Sequence, residues 1–295
     1  SDVEQRYGAA LRPELGDAAG ARVAFASLAP RAGGGVAGHG VGRALQRATA
    51  VFGLERAPSH AAILAARRAP RHACPVAIQR DEDKLAIYRD PAVAARYDER
   101  WASASGQRRE TRMRAALERA LERLQPAASV LDAPCGAGRL SAWLAERGVR
   151  YLGVDAALPM LVEARRKCAA PLAGGDLARL PLRDGAVDVA LCIRLMHLVR
   201  DAQLRRAFLR ELARVARRGV VVDYLQAESL KVWYASARST LGLRDHAPSA
   251  FTREQIRAEF EAAGLEVLAF EALRRPNWLS DKVVVVARPR TARSE

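Results

Sequence analysis

Apolar residues along this chain fall into two alternating periods. Short apolar runs occur at Val130-Leu131, Tyr151–Val154, Leu172-Ala173, Val187–Ile193 and Val220–Leu225. Between them, apolar positions recur at helical spacing: Leu140, Trp143 and Leu144, then Met160 and Leu161, then Leu204, Phe208, Leu209, Leu212 and Val215. Short runs of two to seven mostly apolar residues alternating with amphipathic stretches predict buried parallel strands joined by helices. Asp201 is placed to cap the last of these helices, and Arg217-Arg218-Gly219 reads as its stop. Thr252-Arg253-Glu254-Gln255 has the form of a capped start for a helix through Ile256 and Phe260 to Gly264. Leu265–Leu273 and Lys282–Arg288 then predict two antiparallel strands. Upstream, Tyr88-Arg89-Asp90-Pro91 begins a helix carrying Val93, Tyr97 and Trp101 on one face. Gly106 separates it from a longer helix, Arg108 to Leu124, which Pro126 ends.

The first strand runs into Asp132-Ala133-Pro134-Cys135-Gly136-Ala137-Gly138-Arg139. Gly136 and Gly138 lack a β-carbon, so the backbone there can turn sharply and approach a ligand closely. The helix that follows presents unpaired N–H groups at its start. The second strand ends at Asp155, 23 residues after Asp132, and an acid at that tip is placed to hydrogen-bond a ribose. Dinucleotide sites share this plan, but they ask for a third glycine, and position 141 is Ser.

With its acid on the first strand, the stretch resembles the first motif of the class I S-adenosylmethionine-dependent methyltransferases. Later segments resemble the same family in order: Gly175-Asp176-Leu177, Leu180-Pro181-Leu182, Asp184-Gly185 and the apolar strand containing Asp188. The pattern is closest to the ubiquinone/menaquinone-biosynthesis-like group, and it spans roughly residues 85–290. One departure is Pro134, where the family usually has another glycine. The resemblance implies an α/β, Rossmann-like, seven-stranded and mostly parallel sheet with one antiparallel edge strand. Helices would cover both faces, with an N-terminal helical lid and a poorly structured N-terminal extension.

It also implies a cofactor, S-adenosyl-L-methionine, and a set of roles. Asp132, Gly136 and Gly138 would shape the methionine end of the pocket, and Asp155 would hold the ribose. Ala156 and Met160 would lie against the adenine, with Asp176 and Leu177 reading its edge and Cys192 contributing from the fourth strand's tip. On the acceptor side, Tyr97, Trp101 and Tyr224 are substrate candidates. His197, just past the fourth strand, is the candidate general base, because imidazole titrates near neutrality. The insert Ser229–Ser249, with Trp233, Tyr234, Arg238, Arg244 and His246, falls where the family builds a substrate wall.

Residues 1–83 hold 10 of the 21 glycines and read as a Gly/Ala/Arg-rich extension. Its Gly33–Gly40 run lacks the Gly-Lys-Ser/Thr ending of a phosphate loop. Residues 84–290 form the expected methyltransferase domain, and 291–295 a basic tail. The net charge of +15 would favour an anionic partner, nucleic acid or a membrane surface. The arginines, however, are spread along the chain, as in a high-GC genome's composition. The four cysteines, 74, 135, 168 and 192, have no metal-ligand or paired spacing, so no metal is expected. Free thiols without a secretory signal point to a cytoplasmic protein. The nucleic-acid signatures Pro-Cys after the fourth strand and Asn/Asp-Pro-Pro-Tyr are missing. A small-molecule, lipid or glycan acceptor is therefore expected, with RNA methylation or a catalytically silent scaffold as alternatives.

Overall fold

The computed structural model describes residues 86–241, 243 and 249–290. The expected extension (1–83), the basic tail, and Arg244 and His246 lie outside them. Seven strands form one sheet in the order β3-β2-β1-β4-β5-β7-β6. They are β1 (Ser129–Asp132), β2 (Arg150–Asp155), β3 (Leu172–Gly174), β4 (Val187–Cys192), β5 (Ala216–Leu225), β6 (Leu265–Ala272) and β7 (Lys282–Pro289). Strands β1 to β5 pair in parallel, and β7 runs against both β5 and β6. The antiparallel strand thus slots in next to the edge, and β6 is the outermost strand.

Alternation along each strand builds a core on either face. Leu131 and Leu152 belong to one cluster, Val130 and Tyr151 to the other. The first cluster is covered by α6 (Ala202–Val215) through Phe208, Leu209 and Leu212, and by α7 (Arg253–Ala262) through Ile256 and Phe260. The second is covered by α3 (Ala104–Glu122), α4 (Ser141–Ala145) and α5 (Leu158–Lys167), through Leu117, Trp143, Leu144 and Leu161. With both faces covered, β4 is buried at every position, which is why it reads as a continuous apolar run. Among the described residues no helix is long and apolar enough to cross a membrane.

Several local expectations need correction. The helix expected from Tyr88 to Trp101 is broken into a 3-10 turn (Ile87–Arg89), α1 (Pro91–Ala95) and α2 (Glu99–Ala102). Only Ala94 is buried in these two helices, so no continuous apolar face holds a longer one together. Gly106 does not separate helices; it lies in the first turn of α3, its N–H bonded to the capping Ser103 hydroxyl at 3.1 Å. A β-carbon there would meet the Arg100 carbonyl and Trp101 Cα at 2.8 Å, so glycine lets α2 fold tightly onto α3. Gly219 likewise is no helix stop. Helix α6 ends at Val215, and Gly219 sits inside β5, where a β-carbon would come within 2.4 Å of the Ala287 carbonyl. The capping box at Thr252 and Gln255 and the Asp201 cap are both present.

Candidate active site

Strand order reverses between β1 and β4, since β2 and β3 lie to one side and β5 to the other. In open parallel sheets the crevice beyond the carboxyl ends at such a point is where ligands bind. Asp132 ends β1 and Asp155 ends β2, and both are buried. The turn between them is held by its own backbone: Gly136 and Gly138 take φ values of +54° and +71°, which favour glycine. The Gly136 N–H donates to one Asp155 oxygen at 2.7 Å, and the Ala157 N–H donates to the other at 2.8 Å. Asp132 accepts from the Tyr151 hydroxyl at 3.1 Å.

Two carboxylates this deep resist ionisation. Burial raises Asp132 to about 7, with the Tyr151 hydrogen bond opposing the rise and the charge of Asp155 adding to it. Burial raises Asp155 to about 6, against the pull of the Ala157, Gly136 and Ala156 backbone. Asp176 is not part of this buried pair. It is exposed, two residues beyond the end of β3, and its carboxylate accepts from the Ala178 N–H at 2.9 Å. Leu177 packs into the core, and Ala156 is exposed at the turn.

The N-terminal segment closes over this turn. Tyr88, Ala94 and Tyr97 pack against Ala137, Ala157 and Met160. Lys167, at the end of α5, pairs with Asp98 and donates to the Ala137 carbonyl at 3.1 Å, tying α5 to both the lid and the glycine turn.

Across the switch point the chemistry changes sign. Trp101 lies under three guanidinium groups, with the Arg194, Arg139 and Arg109 carbons 4.4, 4.8 and 5.8 Å from its ring centroid. Arg139 follows the glycine turn after β1, and Arg194 follows β4. The Arg194 N–H donates to Asp223 on β5, whose second oxygen takes Lys282 Nζ at 2.6 Å. Desolvation raises Asp223's pKa, but Lys282 and His197 outweigh it, so the net shift is downward. His197, in the 3-10 turn Met196–Leu198, is driven to about 4 by burial and next by the charge of Lys282, with Arg194 adding to the fall and Asp223 opposing it. It stays neutral at pH 7, and the expectation of a base poised near neutrality is corrected. A group whose conjugate acid is this strong is a poor acceptor of an alcohol's proton.

Two further expectations fail on strand parity. Tyr224 shares its face of β5 with Val220 and Val222, is fully buried, and is hydrogen-bonded through its hydroxyl to Glu259 at 3.3 Å. Its neighbour Asp223 is the β5 residue bonded to Arg194 and Lys282, and the sequence pattern passed over it. The Cys192 side chain is also buried in the core below the crevice, and burial holds its thiol well above the usual range. Arg139, Arg194 and Tyr151 were missed as well. An arginine directly after the glycine turn and another two residues past β4 were the available signal. Among the described residues, no group of three or more His, Cys, Asp or Glu could hold a metal ion.

Residues 130–219 match the family described as Methyltransferase domain. Two similar curated proteins are malonyl-[acyl-carrier protein] O-methyltransferases. That of Salmonella typhimurium is 40% identical over 33% of this chain and 38% of its own length. That of Serratia marcescens is 38% identical over 36% and 42%. The chain therefore matches about two-fifths of the length of these relatives. Magnesium protoporphyrin IX methyltransferase from Synechocystis PCC 6803, solved with bound SAH, superposes with a TM-score of 0.54 at 19% identity, covering 72% of this chain and 99% of that one. The CcbJ methyltransferase from Streptomyces caelestis gives 0.53 at 20%, covering 68% and 96%. These two likenesses concern the fold. Residues 130–219 are thus similar to methyltransferase domains, within a sheet whose fold these two solved structures share.

Proposed function

We propose that the protein transfers a methyl group from S-adenosyl-L-methionine to a small-molecule, lipid or glycan acceptor. The observation that carries this reading is the buried pair Asp132 and Asp155 on either side of the Gly136–Gly138 turn, at the switch point of the sheet. Their chemistry fits the cofactor. Each carboxylate oxygen keeps a lone pair beyond the bonds described above, suited to a cationic amino group at Asp132 and ribose hydroxyls at Asp155. Met160 would flank the adenine, and Asp176 with the Leu177 backbone N–H would meet its edge. The names of the curated relatives, malonyl-[acyl-carrier protein] O-methyltransferases, support transfer to an oxygen atom.

Bound S-adenosylmethionine supplies a methyl group already activated by sulfonium charge, so the protein's work is orientation and exclusion of water. Asp132 and Asp155 anchor one end, and the lid residues Tyr97 and Trp101 shield the crevice from solvent. His197, held neutral, lines the acceptor side as a hydrogen-bonding group, not a strong base.

Calorimetric titration with S-adenosylhomocysteine tests the reading. Asp155→Ala should weaken binding by about 1–3 kcal/mol, the scale for a lost buried hydrogen bond. Absence of binding to the unaltered protein would refute the proposal.

A further inference from the structure

We infer that the arginine–tryptophan cluster across the switch point is the acceptor's anchoring subsite, and that the acceptor carries an oxyanion group, carboxylate or phosphate, bound by Arg194 and Arg139 over the ring of Trp101. This rests on the methyltransferase reading only for what the occupant does next; the anion site itself is read from the residues.

Three observations converge there. First, two of the guanidiniums come from opposite sides of the crevice, one past β1 and one past β4, yet both lie within cation–π range of one ring. The Arg139 guanidinium feels its surroundings: desolvation lowers its pKa, and the charge of Arg194 lowers it further, partly offset by Tyr97, Asp223 and Asp98. Glu110 pairs with Arg139 but also serves Arg114 at 2.9 Å, so it does not neutralise the cluster by itself. Second, Arg194 Nε, Trp101 Nε1 and His197 Nδ1 are buried nitrogens without a hydrogen-bond partner. A buried donor left unpaired is unfavourable, and a planar or tetrahedral oxyanion meets an arginine fork with two parallel bonds.

Third, Arg194 takes a φ of +71°, the one positive value at a non-glycine position among the described residues. Its backbone N–H is fixed in that conformation by Asp223. Strain of this kind persists where surrounding structure enforces it, and it clusters at functional sites. The Asp223–Lys282 pair beneath holds the strained residue, so Asp223 acts as a positioning residue for the Arg194 side chain. The cofactor's own carboxylate is the rival occupant. Against it, Arg194 stands on the β4–β5 side, whereas the ribose-holding acid stands on β2.

The test uses the purified full chain saturated with S-adenosylhomocysteine, titrated calorimetrically with malonate and, separately, with inorganic phosphate. At least one should bind saturably; malonate alone would identify a carboxylate subsite, phosphate alone a phosphate subsite. Arg194→Asn, a residue tolerated at positive φ, should weaken that binding roughly tenfold to a hundredfold, the range for a charge-assisted hydrogen bond. Arg139→Gln should weaken it in the same direction, giving a second reading if Arg194→Asn fails to fold. Arg150→Gln, at the opposite end of β2, should leave it unchanged. S-adenosylhomocysteine affinity should be unaltered in all three variants. No saturable binding of either anion overturns the inference, as does equal loss in Arg150→Gln, which would mean a bulk charge effect. Loss of S-adenosylhomocysteine affinity in Arg194→Asn would assign the arginine to the cofactor and overturn it too. If the unaltered protein binds no S-adenosylhomocysteine, the methyltransferase reading fails, and anion binding measured without it still decides this one.

Discussion

Replacing Asp132 by Asn should make the protein more stable at neutral pH and worse at binding its cofactor. Asp132 is 2% exposed and its pKa is about 7 in the folded chain, against 3.8 for the free side chain. Between those values the folded protein keeps a proton that the unfolded chain gives up. Folding is therefore penalised progressively as pH rises through this window, at about 1.4 kcal/mol per pH unit. The full penalty, on the order of 4 kcal/mol, is present above pH 7 and absent below about pH 4. An uncharged Asn removes it. The substituted amide can still accept the Tyr151 hydrogen bond, while its new N–H₂ group lacks a provided acceptor, a roughly constant loss of about 1–3 kcal/mol. The difference in unfolding free energy, variant minus parent, should thus start negative at pH 4.5 and climb to positive at pH 8. Urea unfolding of cofactor-stripped protein at four pH values measures it. S-adenosylhomocysteine affinity should move the other way, falling by about 1.5–3 kcal/mol for loss of a charged acceptor. A stability difference that stays flat with pH would refute the argument that burial of this charge is what the fold tolerates for the sake of binding.

Other consequences can be checked by thermal or chemical unfolding. Gly138→Ala should destabilise by more than ~1–2 kcal/mol, since its β-carbon would sit 3.0 Å from Ala164 Cβ at a φ of +71°. Gly148→Ala, at φ +70° with nothing within 4 Å, should show only the conformational strain of about 1 kcal/mol. Arg205→Ala should destabilise by about 3–5 kcal/mol, because Glu259 is buried against it, its carboxylate oxygens 3.0 and 3.1 Å from Arg205 Nε. The pH profile of methyl transfer should show no inflection near 6.5 from His197, which is already neutral well below that value; a histidine inflection abolished by His197→Gln would contradict the burial argument.

The strands, the glycine turn, its two flanking acids and the helix caps were legible because each is a local signal, set by periodicity or by one residue's conformational preference. What escaped depends on parity and on distant packing. Asp223 and Tyr224 are adjacent in a strand covered on both faces, and nothing in the local pattern says which of them turns toward the crevice. Sequence reading chose the aromatic, whereas the register with β7, pairing Asp223 with Val284, goes with Tyr224 in the core. Gly219 looked like a helix stop because glycine commonly serves that purpose; here its lack of a side chain admits Leu124 and the β7 backbone. The Trp101 cluster joins residues 101, 109, 139 and 194, a contact set no window of sequence contains.

The division of the crevice carries an electrostatic argument of its own. Two carboxylates with no cationic partner occupy the β1–β2 side; Arg194, a neutral imidazole and the Asp223–Lys282 pair occupy the β4–β5 side, with Arg139 reaching the same tryptophan from the turn after β1. Each half alone is unfavourable: the acids are pushed toward protonation, and Arg139 has its guanidinium pKa lowered. A cationic nucleoside on the first side and an anionic acceptor on the second would relieve both at once, and the attraction between the two ligands would strengthen as the lid excludes water. On the proposed reading, cofactor and acceptor should bind with positive coupling that weakens as salt is raised only to the extent that the crevice stays open to ions. Measuring malonate affinity with S-adenosylmethionine and with the uncharged thioether S-adenosylhomocysteine separates the sulfonium charge from the rest of the nucleoside. The sulfonium form should support the tighter anion binding, and equal affinities would place the two charges too far apart for the crevice to work as a single electrostatic unit.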